Sequence, residues 1–164
     1  MDKVILKLLN KDSYVFGGYV RDSIINNEKY NDIDILIMES KENFEKKLKQ
    51  NFRVYIKDEI GSLVKYILYD KDNNEIYIDA VYEEQFIDSP NLDVNCLIFK
   101  NNVIKLRHDM INSNISIESI KNNIKNKKFE VLYDYWYDDC DCNLMQSISK
   151  MKKRKWICTN ERYL

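Results

Sequence analysis

VFGGYVRDSIINNEKYNDIDILI, residues 15–37, holds the most ordered signals in the chain. Gly17-Gly18 is its one Gly-Gly pair, in a protein with three glycines over 164 residues. Two glycines after the apolar run Tyr14-Val15-Phe16 predict a short strand that ends in a tight turn. Val20, Ile24 and Ile25 then mark one face of a short helix running to Asn26-Asn27. A glycine turn feeding a helix presents backbone N–H groups suited to a phosphate; a plain tight turn is the alternative reading of the glycines alone. After a loop, Asp32 and Asp34 bracket Ile33 at the start of the apolar run Ile33, Ile35, Leu36, Ile37. Residues two apart share a face of a strand, so both carboxylates are expected to project together. Like charges so placed need a positive partner. The usual one is a divalent cation such as Mg²⁺, held by one or two carboxylates together with substrate phosphates.

The combination Gly17-Gly18-x-Val20-Arg21-Asp22 followed by Asp32-x-Asp34 resembles the signature of the polymerase-beta-like nucleotidyltransferase superfamily. It is most similar to the head domain of CCA-adding enzymes and bacterial poly(A) polymerases. The resemblance implies an α/β fold of the α+β kind, a mixed and mostly antiparallel sheet with helices packed on one side. It implies transfer of NMP from a nucleoside triphosphate to an acceptor hydroxyl, foremost an RNA 3′ end, with Mg²⁺ or Mn²⁺ as cofactor. Asp32 and Asp34 would hold the metal with a third carboxylate from a neighbouring strand, and Asp79 sits where the resemblance would place it. Gly17 and Gly18 would close over the phosphates. Arg21 and Asp22 would either contact the nucleotide or brace the turn through a salt bridge.

Beyond that stretch the strand signals continue. Residues 52–57 alternate as a strand, as do 62–69, and 75–82 returns after the turn-rich DKDNN, which predicts a hairpin. In the returning strand Ile76, Ile78 and Ala80 face one way, and Tyr77, Asp79 and Val81 the other. A carboxylate in such a strand is costly unless partnered, so Asp79 needs either a partner or an edge position facing water. Residues 90–99, PNLDVNCLIF, echo a further segment of the family. Asn95 falls on its asparagine and joins the expected nucleotide-binding set. Pro90 and Asn91 replace its arginine and aspartate, so Lys57, Lys65 or Arg107 would serve the phosphates instead. Asn101-Asn102 predicts a two-residue turn into residues 103–106.

Helices are expected over residues 2–10, over 40–50 with Ser40 as N-cap and Phe44 and Leu48 buried, and after Ser116 with Ile117, Ile120 and Ile124 on one face. His108, the single histidine, reads as structural or exposed. In the tail, YDYWYDDCDC is followed by the helical stripe Leu144, Ile148, Met151 and the basic run 152–155 before Trp156. Cys140, Cys142 and Cys158 are candidate zinc ligands, against which stand a C-x-C spacing unlike that of the common zinc folds and the lack of an obvious fourth ligand. The basic run with Trp156 would either grip a polynucleotide or form a solvated helix end whose tryptophan packs on the core. The expected organisation is a head-like domain over 1–132 and a helical appendage over 133–164.

The formal net charge of −1 excludes a globally basic nucleic-acid binder but not a local basic patch. There is no apolar run long enough for a membrane span, and the charged N-terminus does not read as a secretory signal. Four cysteines without a regular framework fit a reducing compartment, so the expected location is cytoplasmic. Abundant Asn and Lys suggest an AT-rich genome, such as that of a virus or parasite. The expected partners are a nucleoside triphosphate and RNA, with a partner subunit or a homodimer as a further possibility. The alternative from another class is a non-catalytic nucleotide- or RNA-binding module, or a subunit of a complex, that retained the fold.

Overall fold

The computed structural model describes residues 2–111, 114–132 and 142–160. Helix α1 (Asp2–Leu8) leads into β1 (Tyr14–Phe16), a wide π-type helix (Val20–Ile25) and β2 (Ile33–Leu36). Helix α2 (Lys41–Lys49) precedes the meander β3 (Arg53–Ile60), β4 (Leu63–Tyr69) and β5 (Glu75–Val81). A second hairpin, β6 (Leu97–Lys100) and β7 (Val103–Leu106), is followed by α3 (Ile117–Lys125), β8 (Lys128–Phe129), α4 (Cys142–Lys153) and β9 (Ile157–Cys158).

Seven strands form one sheet in the order β3-β4-β5-β2-β1-β6-β7. Only the β2–β5 pairing is parallel; the other pairings in this sheet are antiparallel. The mixed, mostly antiparallel sheet implied by the resemblance is therefore the one observed. The parallel joint follows from connectivity. Chain leaving β2 crosses through α2 and the β3–β4 hairpin before β5 returns beside it, which a tight turn could not achieve.

Local chemistry explains the boundaries. Ser40 and Ser116 cap α2 and α3 by accepting from the N–H groups of Asn43 and Ser119. Asn101 and Asn102 both have positive φ (52° and 61°), the geometry of the favoured two-residue hairpin turn. Strand β3 runs to Ile60, further than the expected 57, and carries an irregularity between Ile56 and Asp58. Its residues are exposed on both faces from Tyr55 onward, so no alternation marks its second half.

Strand parity divides the sheet into two faces. Val15, Ile33, Ile35, Val64, Tyr66, Leu68, Ile76, Ile78 and Ala80 point into the main core, where they meet Ile5 of α1, Phe44 and Leu48 of α2, and Ile120 and Ile124 of α3. The helices therefore pack on one side. Leu144, Ile148 and Met151 of α4, with Trp156 and Cys158, join the same core, and β9 pairs parallel with β8. The opposite face holds a smaller cluster of Tyr14, Leu36, Val81 and Ile98. Asp34 and Asp79 lie on this second face, because they alternate with core residues along their strands. The acidic, aromatic segment 133–141, with Cys140, lies outside the described residues. No helix among those described is long and apolar enough to cross a membrane.

Candidate active site

Strand β1 ends at Phe16, and Gly17 turns the chain with φ +68°. Phe16 is the register partner of Asp34 across the β1–β2 ladder, so the turn sits directly beside that carboxylate. The approach is close: a Cβ on Gly17 would lie 2.7 Å from Asp34 Oδ2. On the other side of β2, Asp34 is in register with Asp79 in the parallel ladder, and Asp79 with Lys65 on β4. Neighbouring strands lie about 4.8 Å apart, so Asp34, Asp79 and Lys65 form one rung. Lys65 Nζ donates to Asp79 Oδ2 at 2.9 Å. This is the partner that a carboxylate in such a strand needs. Asp32 stands one residue before β2 begins, not within the strand, but its charge still acts on Asp34.

The electrostatics converge on Asp34. Burial, reinforced by the charges of Asp32 and Asp79, pushes its carboxyl up to about 7, against the opposing pull of Lys150 and Lys65. A group so placed favours a positive ligand.

A cleft of about 520 Å³ opens in front of the turn. Gly17, Gly18, Arg21, Asp32, Asp34 and Asn95 all line it, so the structure brings six of the eight expected site residues to one wall. Asp79 stands one strand behind Asp34 and Asp22 behind Arg21; neither is in the lining. Arg21 is held on several sides. Its Nε and Nη2 donate to both oxygens of Asp22 (2.7 and 2.8 Å), its Nη1 donates to Asn95 Oδ1 (2.7 Å), and its guanidinium lies over the Trp156 ring at 5.5 Å. Arg154 Nη1 adds a third contact to Asp22, at 3.0 Å. Burial would raise the Asp22 carboxyl, but the hydrogen bonds and charges of Arg21 and Arg154 outweigh it and hold the group below its ordinary value. Trp156 is 3% exposed, so its ring packs on the core under Arg21 and is not presented to a nucleic-acid base.

Of the cations expected to serve phosphates, Arg107 lines the cleft and is buried, with Nε and Nη2 donating to Asp109 and Nη1 to the Asp88 carbonyl. Lys65 is engaged with Asp79, and Lys57 lies over the Tyr77 ring at 5.8 Å. His108 is exposed beside Glu84. The far wall of the cleft was not anticipated. It is built by Asn143, Gln146, Ser147 and Lys150 of α4. Their spacing of i, i+3, i+4 and i+7 is the polar counterpart of the stripe Leu144, Ile148, Met151, and that pattern was available in the sequence.

Paired carboxylate oxygens suit Mg²⁺ or Mn²⁺. Among the described residues, no three His, Cys, Asp or Glu side chains already form a metal cage, and Lys65 occupies one oxygen of Asp79. The donor set thus fits a cation shared between one or two carboxylates and the phosphates of a substrate, rather than a complete protein cage.

The family model of the poly A polymerase head domain matches residues 13–140. Among solved structures, a CCA-adding enzyme in complex with ATP is 18% identical over 98% of this chain and 39% of its own, with a TM-score of 0.61. The Thermotoga maritima CCA-adding enzyme complexed with tRNA is 16% identical over 98% of this chain and 39% of its own, again at 0.61. An apo tRNA-processing enzyme is 11% identical over 97% of this chain and 44% of its own, at 0.60. These likenesses concern the fold, and the chain spans about two fifths of the length of those proteins. No curated protein sequence matches it significantly.

Proposed function

The chain belongs to the poly A polymerase head-domain family, and from that premise we propose that it is a divalent-metal-dependent nucleotidyltransferase. It moves NMP from a nucleoside triphosphate to an acceptor hydroxyl, an RNA 3′ end, and releases pyrophosphate. The observation that carries this reading is the meeting of Asp34 with the Gly17-Gly18 turn at the mouth of one polar cleft, with Asp32 beside it and Asp79 in register behind. Solved structures of this fold are described with ATP, with CTP and with tRNA, which is consistent with these substrate classes.

In this reading Asp32 and Asp34, with Asp79, hold Mg²⁺ or Mn²⁺. When bound, the metal lowers the pKa of the attacking hydroxyl and neutralises charge on the leaving pyrophosphate. The glycine turn supplies backbone that a triphosphate can approach without meeting a Cβ. Arg21 and Asn95, locked to each other and to Asp22, give that wall a fixed shape and one oriented cation. Lys150 on the opposite wall meets phosphate charge from the other side. Pre-positioned charge of this kind stabilises a phosphoryl-transfer transition state with little rearrangement.

Asp34→Asn tests the reading. It keeps the shape and removes one of the converging charges, so the fold is retained while transfer of labelled NMP to RNA falls by orders of magnitude. Wild-type transfer by Asp34→Asn sinks the mechanism. A second reading, a binding module that retained the fold, draws on the Lys65–Asp79 ion pair, which competes for a metal-ligand oxygen, and on Pro90 and Asn91. It predicts metal-dependent nucleotide binding with no transfer to any acceptor.

A further inference from the structure

Between residues 142 and 160 the chain carries Lys150, Lys152, Lys153, Arg154 and Lys155 and no aspartate or glutamate, although the whole protein has a net charge of −1. The charge is concentrated on the last turns of α4 and the turn that follows it, beside the candidate active site. Beside the cleft lies a second groove of about 680 Å³, lined by Asn31, Met145, Gln146, Ser149, Lys150, Lys153 and Arg154. The two openings are neighbours, since Gln146 and Lys150 line both. Asn31, the residue before Asp32, also lines this groove, while Asp32 itself lines the cleft.

We infer that this groove holds the sugar-phosphate backbone of the acceptor RNA as its 3′ end enters the cleft. The inference rests on the RNA-acceptor reading above and adds a location to it. Three arguments favour a polynucleotide. The lining contains three cations and no carboxylate, which suits a chain of phosphates. Arg154 spends Nη1 on Asp22 and is 31% exposed, so its guanidinium is anchored while part of it still faces solvent. Met145 is 47% exposed within this polar lining and offers an apolar surface for a sugar or base. Trp156, the obvious stacking candidate, is buried, so the grip is through phosphates and carries little sequence preference.

The test uses the full chain and a fluorescent single-stranded RNA, read by anisotropy at several salt concentrations without nucleotide. Lys153 is exposed, so Lys153→Glu leaves the fold intact, which the thermal midpoint checks. The expected result is affinity lower by roughly tenfold for RNAs of unrelated sequence, with a salt slope reduced by about 1. Lys46→Glu on α2, an equal charge change away from the groove, leaves both values unaltered. Unchanged RNA affinity in Lys153→Glu, an equal loss in Lys46→Glu, or no RNA binding by the wild type each overturns the inference. Nucleotide binding separates the two readings. RNA binding lost in Lys153→Glu, without metal-dependent NTP binding by the wild type, keeps the groove and removes the enzyme. NTP binding and transfer to another acceptor, without RNA binding, does the reverse.

Discussion

At Gly17 two separate constraints coincide. Its φ of +68° is a conformation that costs an L-residue about 1–2 kcal/mol, and a Cβ there would press on Asp34 Oδ2. Gly61 supplies the natural comparison, with φ +58° and nothing within 4 Å of an added Cβ. Gly61→Ala should therefore lose about 1–2 kcal/mol in a denaturant titration for its backbone alone, and Gly17→Ala more than that, because Asp34 must also shift. Only Gly17→Ala should also lose transfer, by roughly a hundredfold, because it displaces a carboxylate by a fraction of an ångström to an ångström. Equal activity in the two variants would mean that Asp34 can shift without consequence. The importance of this glycine was legible in the sequence as rarity and adjacency. Which residue it would crowd was not, because that depends on the pairing of β1 with β2.

The π-type helix at Val20–Ile25 is held in place by charge as well as by its short apolar stripe. Arg21 and Asp22 are buried and Arg154 reaches them from the half-exposed end of α4, so that one carboxylate serves two guanidiniums. Asp22→Asn leaves both cations short of a counter-charge, and loss of one partner from a buried ion group costs about 3–5 kcal/mol. The pH dependence has a definite sign. The folded-state pKa of Asp22 lies below its ordinary carboxylate value, so its contribution is complete above that ordinary value. It drains away as the pH falls towards the folded-state pKa. Urea midpoints measured from neutral pH downward should show an acid-side decline that is shallower in Asp22→Asn; parallel declines would remove Asp22 from the acid transition. At this scale the sequence left Arg21 and Asp22 open between substrate contact and bracing. The structure shows the bracing contacts while Arg21 also lines the cleft, and one of them comes from Arg154, which is 132 positions from Asp22 and which no local periodicity links to it. Strands fared better where one face is buried, as in β4 and β5. They fared worse in the second half of β3, where neither face is.

Across the whole molecule the question is how α4 and β9 belong to the fold. Composition changes sharply near residue 133, and that change is the basis for separating 1–132 from 133–164. Packing follows a different logic. Leu144, Ile148, Met151 and Trp156 fill the same core as Ile5, Ile33, Ile120 and Phe129, and the backbone N–H groups of Ile157 and Thr159 donate to the carbonyls of Lys127 and Phe129. The far wall of the cleft and the cover of the core are thus two faces of one helix; both faces are legible in the sequence, but the surface on which the helix docks is not. A chain ending at residue 132 should then expose Phe129, Ile120 and Val131 to water and lose the counter-charge contact of Arg154 on Asp22. It should unfold at lower denaturant with poor cooperativity, and NMP transfer should be abolished together with the cleft. Trp156→Ala gives the graded version: a cost of about 3–5 kcal/mol for removing a buried aromatic, plus looser positioning of Arg21, which loses the ring beneath it. If the 1–132 chain instead unfolds cooperatively at the full-length midpoint, the core closes without α4. The helix would then serve only the cleft, and Trp156→Ala would have to act through Arg21 alone.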